Sequence, residues 1–230
     1  MENDWGSTIF MAFLIVASVA GLALLPVLAL QLSVHSEILV RHSLVGALYI
    51  VICTLGVFAV FYPAKCKGMF QRFQNPLPQA GKSSVPVRIR GHHPDCQNYS
   101  GNRIRVGRRV FCAACSGLFV GAIIALVGAA SHFFVGLDVA WGSMWMLALG
   151  ELWMLLGLAQ IRFAGYTKAF VNVVFVVGSF VTLVEIDMVS ENLLIDLYAL
   201  GLIAFMLWVR ILLSEWNNRR ICQTCRLCFQ

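Results

Sequence analysis

Apolar side chains fill six long runs of this chain, at residues 8–32, 42–64, 110–135, 139–160, 168–189 and 193–213. Polar positions inside these runs do not alternate with apolar ones. That excludes a membrane barrel, whose strands alternate lipid-facing and lumen-facing side chains. A helix needs about 20 residues to cross the roughly 30 Å hydrocarbon layer of a bilayer, and every run meets that length. The expected fold is therefore an all-α polytopic membrane protein with six transmembrane helices. The first run follows the acidic flank MENDWGS and ends without a small-x-small site. It reads as a first span, because a cleaved signal has a basic flank and a shorter apolar core.

Between the second and third runs the pattern changes. Residues 65–109 open with the Pro/Gly/Ser-rich connector NPLPQAGKSSVP, which predicts a loop. VPVRIR and NRIRVGRRVF then alternate apolar and basic positions, the second around Gly107, and predict short strands or a hairpin. Hairpins so poor in apolar residues need a staple to hold them. The chain divides into an N-terminal transmembrane hairpin (1–64), a basic insert with a His/Cys motif (65–109), a four-helix transmembrane bundle (110–213) and a Cys-rich tail (214–230).

Composition supports the bilayer as solvent. Hydrophobic residues make up 60% of the chain and charged residues 12%, against about 25% charged in a soluble domain. The basic residues also set an orientation. The insert carries Lys65, Lys67, Arg72, Lys82, Arg88, Arg90, Arg103, Arg105, Arg108 and Arg109. Arg162 and Lys168 flank the fourth connection, and Arg219, Arg220 and Arg226 lie in the tail. Six spans put all of these on one side, and the positive-inside rule makes that side cytoplasmic. Glu37, Asp138, Asp187 and Glu191 collect opposite, with Arg41 as the clear basic residue there. The expected location is the cytoplasmic membrane, with both termini cytoplasmic. The net charge of +6 is then a topology signal and an attraction to anionic lipid headgroups. Nucleic-acid binding is not expected, since only Phe70, Phe73 and Tyr99 offer stacking platforms near that charge.

The candidate chemistry lies in sulfur and imidazole. Six of eight cysteines fall in two clusters on the expected cytoplasmic side, where reduced thiols favour metal, redox or catalytic roles over structural disulfides. His92 and His93 precede Cys96, and Cys112-Ala-Ala-Cys115 follows after fifteen intervening residues, a spacing that matches zinc sites. A C-x2-C step aims two thiolates at one cation, and a distant pair closes the tetrahedron. The tail adds Cys222, Cys225 and Cys228. Together these eight donors would fill two four-coordinate zinc sites, with an iron–sulfur cluster as the less favoured cofactor. Asp95 suits an acceptor for an imidazole N–H better than a ligand. Reduced, unligated cysteines are the plain alternative, and Cys53, inside the second run, reads as a small hydrophobe.

The run Cys112, Ala113, Ala114, Cys115, Ser116, Gly117, Leu118, Phe119, Val120, Gly121 resembles the hallmark of a family of prokaryotic (archaeal and bacterial) predicted membrane proteins, a domain of unknown function. That family has a His/Cys segment followed by Cys-Ala-x-Cys-Ser/Thr-Gly. This chain departs from it in having Ala114 where an arginine is usual, and HHPDC in place of Cys-His-Gln. The resemblance implies a membrane protein with a Cys/His motif and carries no reaction. Gly117 and Gly121 also form a GxxxG face that lets helices approach closely.

Within the spans, Glu151 and Asn172 form a possible polar site, with Gln160 as a further hydrogen-bonding partner. Glu185, Asp187 and Asp196 could make an acidic vestibule leading to Glu151, although ordinary interface acids are the simpler reading. His132 reads as an interface residue. The leading functional expectation is an integral membrane protein whose cytoplasmic zinc site is structural or serves contact with anionic lipid or a protein partner. A transporter or metal-handling protein using Glu151 is one alternative. A zinc-dependent membrane enzyme acting on a lipid or other hydrophobic substrate is another. Oligomeric state is not legible in the pattern.

Overall fold

The structure, a computed structural model, describes residues 4–31, 38–61, 89–90, 93–94, 101–106, 109–137 and 142–224. Among these described residues, six helices are long and apolar enough to cross a membrane, and the fold is all-α and polytopic. They are α1 (Asp4–Gln31), α2 (Ile38–Phe61), α3 (Ala113–Phe133), α4 (Met144–Leu158), α5 (Gly165–Ser190) and α6 (Leu193–Thr224). A 3-10 turn, Ala159–Arg162, follows α4.

Two element bounds differ from the sequence pattern for physical reasons. Residues 110–112 are apolar enough to join the third run, yet they form a strand, because Val110, Phe111 and Cys112 pair with Arg105, Ile104 and Arg103. Helix α6 continues eleven residues beyond the sixth apolar run, since a helix persists in water where hydropathy no longer marks it. Before α3 stand two small antiparallel hairpins: β1 (Ile89–Arg90) with β2 (His93–Pro94), and β3 (Arg103–Val106) with β4 (Arg109–Cys112). The hairpin expected around Gly107 therefore forms.

Helix α5 is the centre of the bundle. About two-thirds of its spanning window is buried (67%), against 22–44% for the other five spans. It packs most extensively against α4 and α3, while α2 lies on α3 and α1 on α6. Glycines make these contacts close. A Cβ on Gly117 would meet Asn172 Cβ at 2.8 Å, and one on Gly121 would meet Val176 Cβ at 2.9 Å. The GxxxG face of α3 is therefore pressed onto α5. Lipid-facing surface falls to side chains such as Phe13, Val51, Leu55, Val127 and Phe170, all exposed. That is the expected arrangement in a bilayer, where apolar exposure carries no penalty.

Candidate functional site: two polar clusters on the central helix

Helix α5 carries buried polar residues at both ends. Asn172 and Asp187 are fifteen residues apart, about 22 Å along a helix. Around each one a separate polar cluster assembles, one at the end that bears the hairpins and one at the far end.

At the hairpin end, strand β4 runs straight into α3, and Cys112 is the junction, serving as the N-cap residue in extended conformation. Cys115 follows one helical turn later, so the two side chains share a face. The thiol of Cys115 lies within hydrogen-bonding reach of Cys112, and neither residue is in a disulfide. The guanidinium of Arg210 faces both sulfurs, and the Lys168 ammonium faces Cys112. Both cations are buried, at 3% and 4% exposure.

Amide groups, rather than carboxylates, hold these cations. Arg210 Nε donates to Asn172 Oδ1 at 2.9 Å and Nη2 donates to Gln160 Oε1 at 2.9 Å. Nη2 also donates to Asn172 Oδ1, and Gln160 Nε2 returns a bond to the Arg210 carbonyl at 3.3 Å. Lys168 Nζ donates to Asn102 Oδ1 at 2.5 Å, which ties the hairpin end to α5. Tyr166 Oη adds a 2.6 Å bond to the Arg105 carbonyl. Among the described residues, no carboxylate pairs with Arg210 or Lys168.

At the far end, four helices contribute to one buried ionic cluster. Arg41 on α2 lies 3.3 Å from Asp187 Oδ1 on α5 and 3.7 Å from Asp196 Oδ2 on α6. His42 Nε2 is 3.0 Å and His132 Nε2 is 3.5 Å from Asp187 Oδ2. Arg41, His132, Asp187 and Asp196 are all buried, whereas His42 keeps a quarter of its side chain exposed (25%). Glu185 is turned differently, accepting from the Ser143 backbone N–H at 2.9 Å at the start of α4.

Several sequence readings change here. Asn172 and Gln160 do not serve Glu151; both are committed to Arg210. Glu151 is half-buried, with a buried Oε1 that lacks a hydrogen-bond partner. Glu185, Asp187 and Asp196 form no open acidic vestibule, because Arg41 and two imidazoles engage Asp187 and Asp196 in the interior. His132, in the last turn of α3, is only 3% exposed, and Arg41 is inside the bundle rather than a loop charge. Cys53 is buried among apolar side chains, as a small hydrophobe would be.

The proposed zinc ligands are reached only in part. Cys112 and Cys115 come together. His92, Cys96, Cys225 and Cys228 lie outside the described residues. His93 stands in β2 and Cys222 in the last turn of α6, without described side chains. Among the described residues, no three His, Cys, Asp or Glu side chains are grouped to hold a metal ion. Arg210, which organises the hairpin end, was missed in the sequence. Its signal was visible as an arginine inside an apolar run, and such residues usually face a partner within the bundle.

Comparison with family models, with curated proteins and with solved structures finds no match for this chain.

Proposed function

We propose that this chain is an integral protein of the cytoplasmic membrane whose hairpin-end thiols anchor a zinc ion. That metal would clamp the basic insert onto the bundle for contact with anionic lipid or a protein partner. The observation that carries this reading is the pair Cys112–Cys115, its thiols in mutual reach beside two buried cations that no described carboxylate neutralises. Buried cations need a compensating negative charge. A zinc bound by three thiolates and one imidazole carries a net charge of about −1, which Arg210 and Lys168 would complement. Cys96 and His93 or His92 are the natural further donors. The positive-inside argument places this end in the cytoplasm, where thiols stay reduced.

One observation favours a second reading. A C-x-x-C pair at a helix N-terminus, with both sulfurs half-buried, also suits thiol–disulfide exchange. A transport path through Glu151 has less support, because its expected partners are engaged elsewhere.

Element-specific metal analysis of the purified chain, beside Cys112→Ser, Cys96→Ser and Cys225→Ser, tests the proposal. Zinc present in the wild type and lost in the Cys112 and Cys96 variants is the expected result. Equal metal in all four samples would remove the site. A metal-free wild type that forms a Cys112–Cys115 disulfide reversibly would favour the redox reading instead.

A further inference from the structure

The far-end cluster is unrelated to the thiols and has a charge problem of its own. Two carboxylates, Asp187 and Asp196, share one guanidinium, Arg41, in the buried interior. Among the described residues, with both imidazoles neutral, that leaves one uncompensated negative charge. Both carboxyls stand beside the same guanidinium, at 3.3 Å and 3.7 Å, and as bare carboxylates neither could donate a hydrogen bond to the other, because both only accept. Several buried atoms also lack hydrogen-bond partners: both oxygens of Asp196, Oδ1 of Asp187, Nδ1 of His132 and Nη1 of Arg41. Unpartnered polar atoms in a low-dielectric interior are costly, and adjacent carboxylates resolve the conflict by holding a proton between them.

We infer that Arg41, His42, His132, Asp187 and Asp196 form a proton-binding site, which takes up one proton and exchanges it with the far surface through His42. One proton makes the cluster neutral and supplies the donor that the carboxyl pair lacks. His42 is the port because it alone of the five is part-exposed, and its Nε2 touches Asp187 Oδ2 at 3.0 Å. The His132 ring stands 5.8 Å from that of His42 and contacts the same carboxylate oxygen. Among the described residues, these five are the titratable and charged groups that the ion pairs of α2, α3, α5 and α6 join into the cluster. Glu185 caps α4 instead.

The sign of the effect follows from linkage. The folded chain holds a proton that its carboxylates give up when unfolded at neutral pH, so stability falls as pH rises. The test is reversible unfolding of the full chain in mixed detergent micelles between about pH 6 and 8. In the wild type the unfolding constant should rise up to about tenfold per pH unit, the slope of one proton. Asp196→Asn removes the excess charge and should flatten that slope by about one proton, and Asp187→Asn does the same if the first variant fails to fold. A flat wild-type profile, or equal slopes in wild type and variant, would overturn the inference. Zinc that stabilises the wild type at this end, and not His42→Gln, would overturn it in favour of a metal.

Discussion

The two ends of α5 handle buried charge in opposite ways. At the hairpin end two cations are cradled by the amide oxygens of Asn172, Gln160 and Asn102, and the groups that can supply negative charge are thiols. At the far end two carboxylates outnumber one guanidinium, and the groups that can supply positive charge are imidazoles. Each end is thus incomplete in a sense that names its ligand: a thiolate-bound cation at one, a proton at the other. A cluster neutral within itself would need no ligand and would argue for a purely structural role.

The sharpest way to separate the two ends is Asp187→Ala. It removes the carboxylate that Arg41, His42 and His132 all contact, and deleting one member of a buried charge network costs about 3–5 kcal/mol. Unfolding in micelles should show that loss, while alkylation of Cys112 and Cys115 in the folded fraction should proceed as in the wild type. Gly117→Ala probes the hairpin end through packing. The added methyl would press on Asn172 and the Ala169 carbonyl, and overpacking of this kind costs about 1–3 kcal/mol. Here the stability loss should come with altered thiol reactivity and an unchanged pH slope.

Arg210→Gln is smaller in stability and more specific in chemistry. Removing the cation that faces both sulfurs should slow alkylation of the pair by roughly tenfold, because the reactive species is the thiolate. An unchanged rate would detach Arg210 from the thiol site. Tyr49→Phe is the mildest test, since it touches neither end. It deletes the 3.0 Å bond to Ser179 midway along α5, worth about 0.5–1.5 kcal/mol. Altered thiol chemistry in that variant would mean the two clusters are coupled through the middle of the helix.

The contrast between the ends also explains what could be read without coordinates. Cys112 and Cys115 were legible because a C-x-x-C step is local, and three residues of helix bring their side chains to one face. The hairpin around Gly107 was legible for the same reason. The far-end cluster was not. Arg41, His132, Asp187 and Asp196 stand on four helices, and the Arg41–Asp187 pair spans 146 residues of sequence. Each alone looks like an ordinary residue near a membrane boundary. Asn172 and Gln160 were recognised as polar groups in need of partners, yet nothing local could choose Arg210 over Glu151.

What the sequence determined by itself was the solvent and the segments. Twenty-residue apolar runs can be satisfied only as spanning helices, because backbone groups in hydrocarbon must bond within their own segment. Tertiary packing decided which polar side chains meet. Glycines at 117 and 121 bring α3 against α5, and the α2, α3, α5 and α6 ends then converge on Asp187. Those pairings depend on helix rotation and mutual approach, quantities that shape complementarity between helices sets and that no single helix encodes alone.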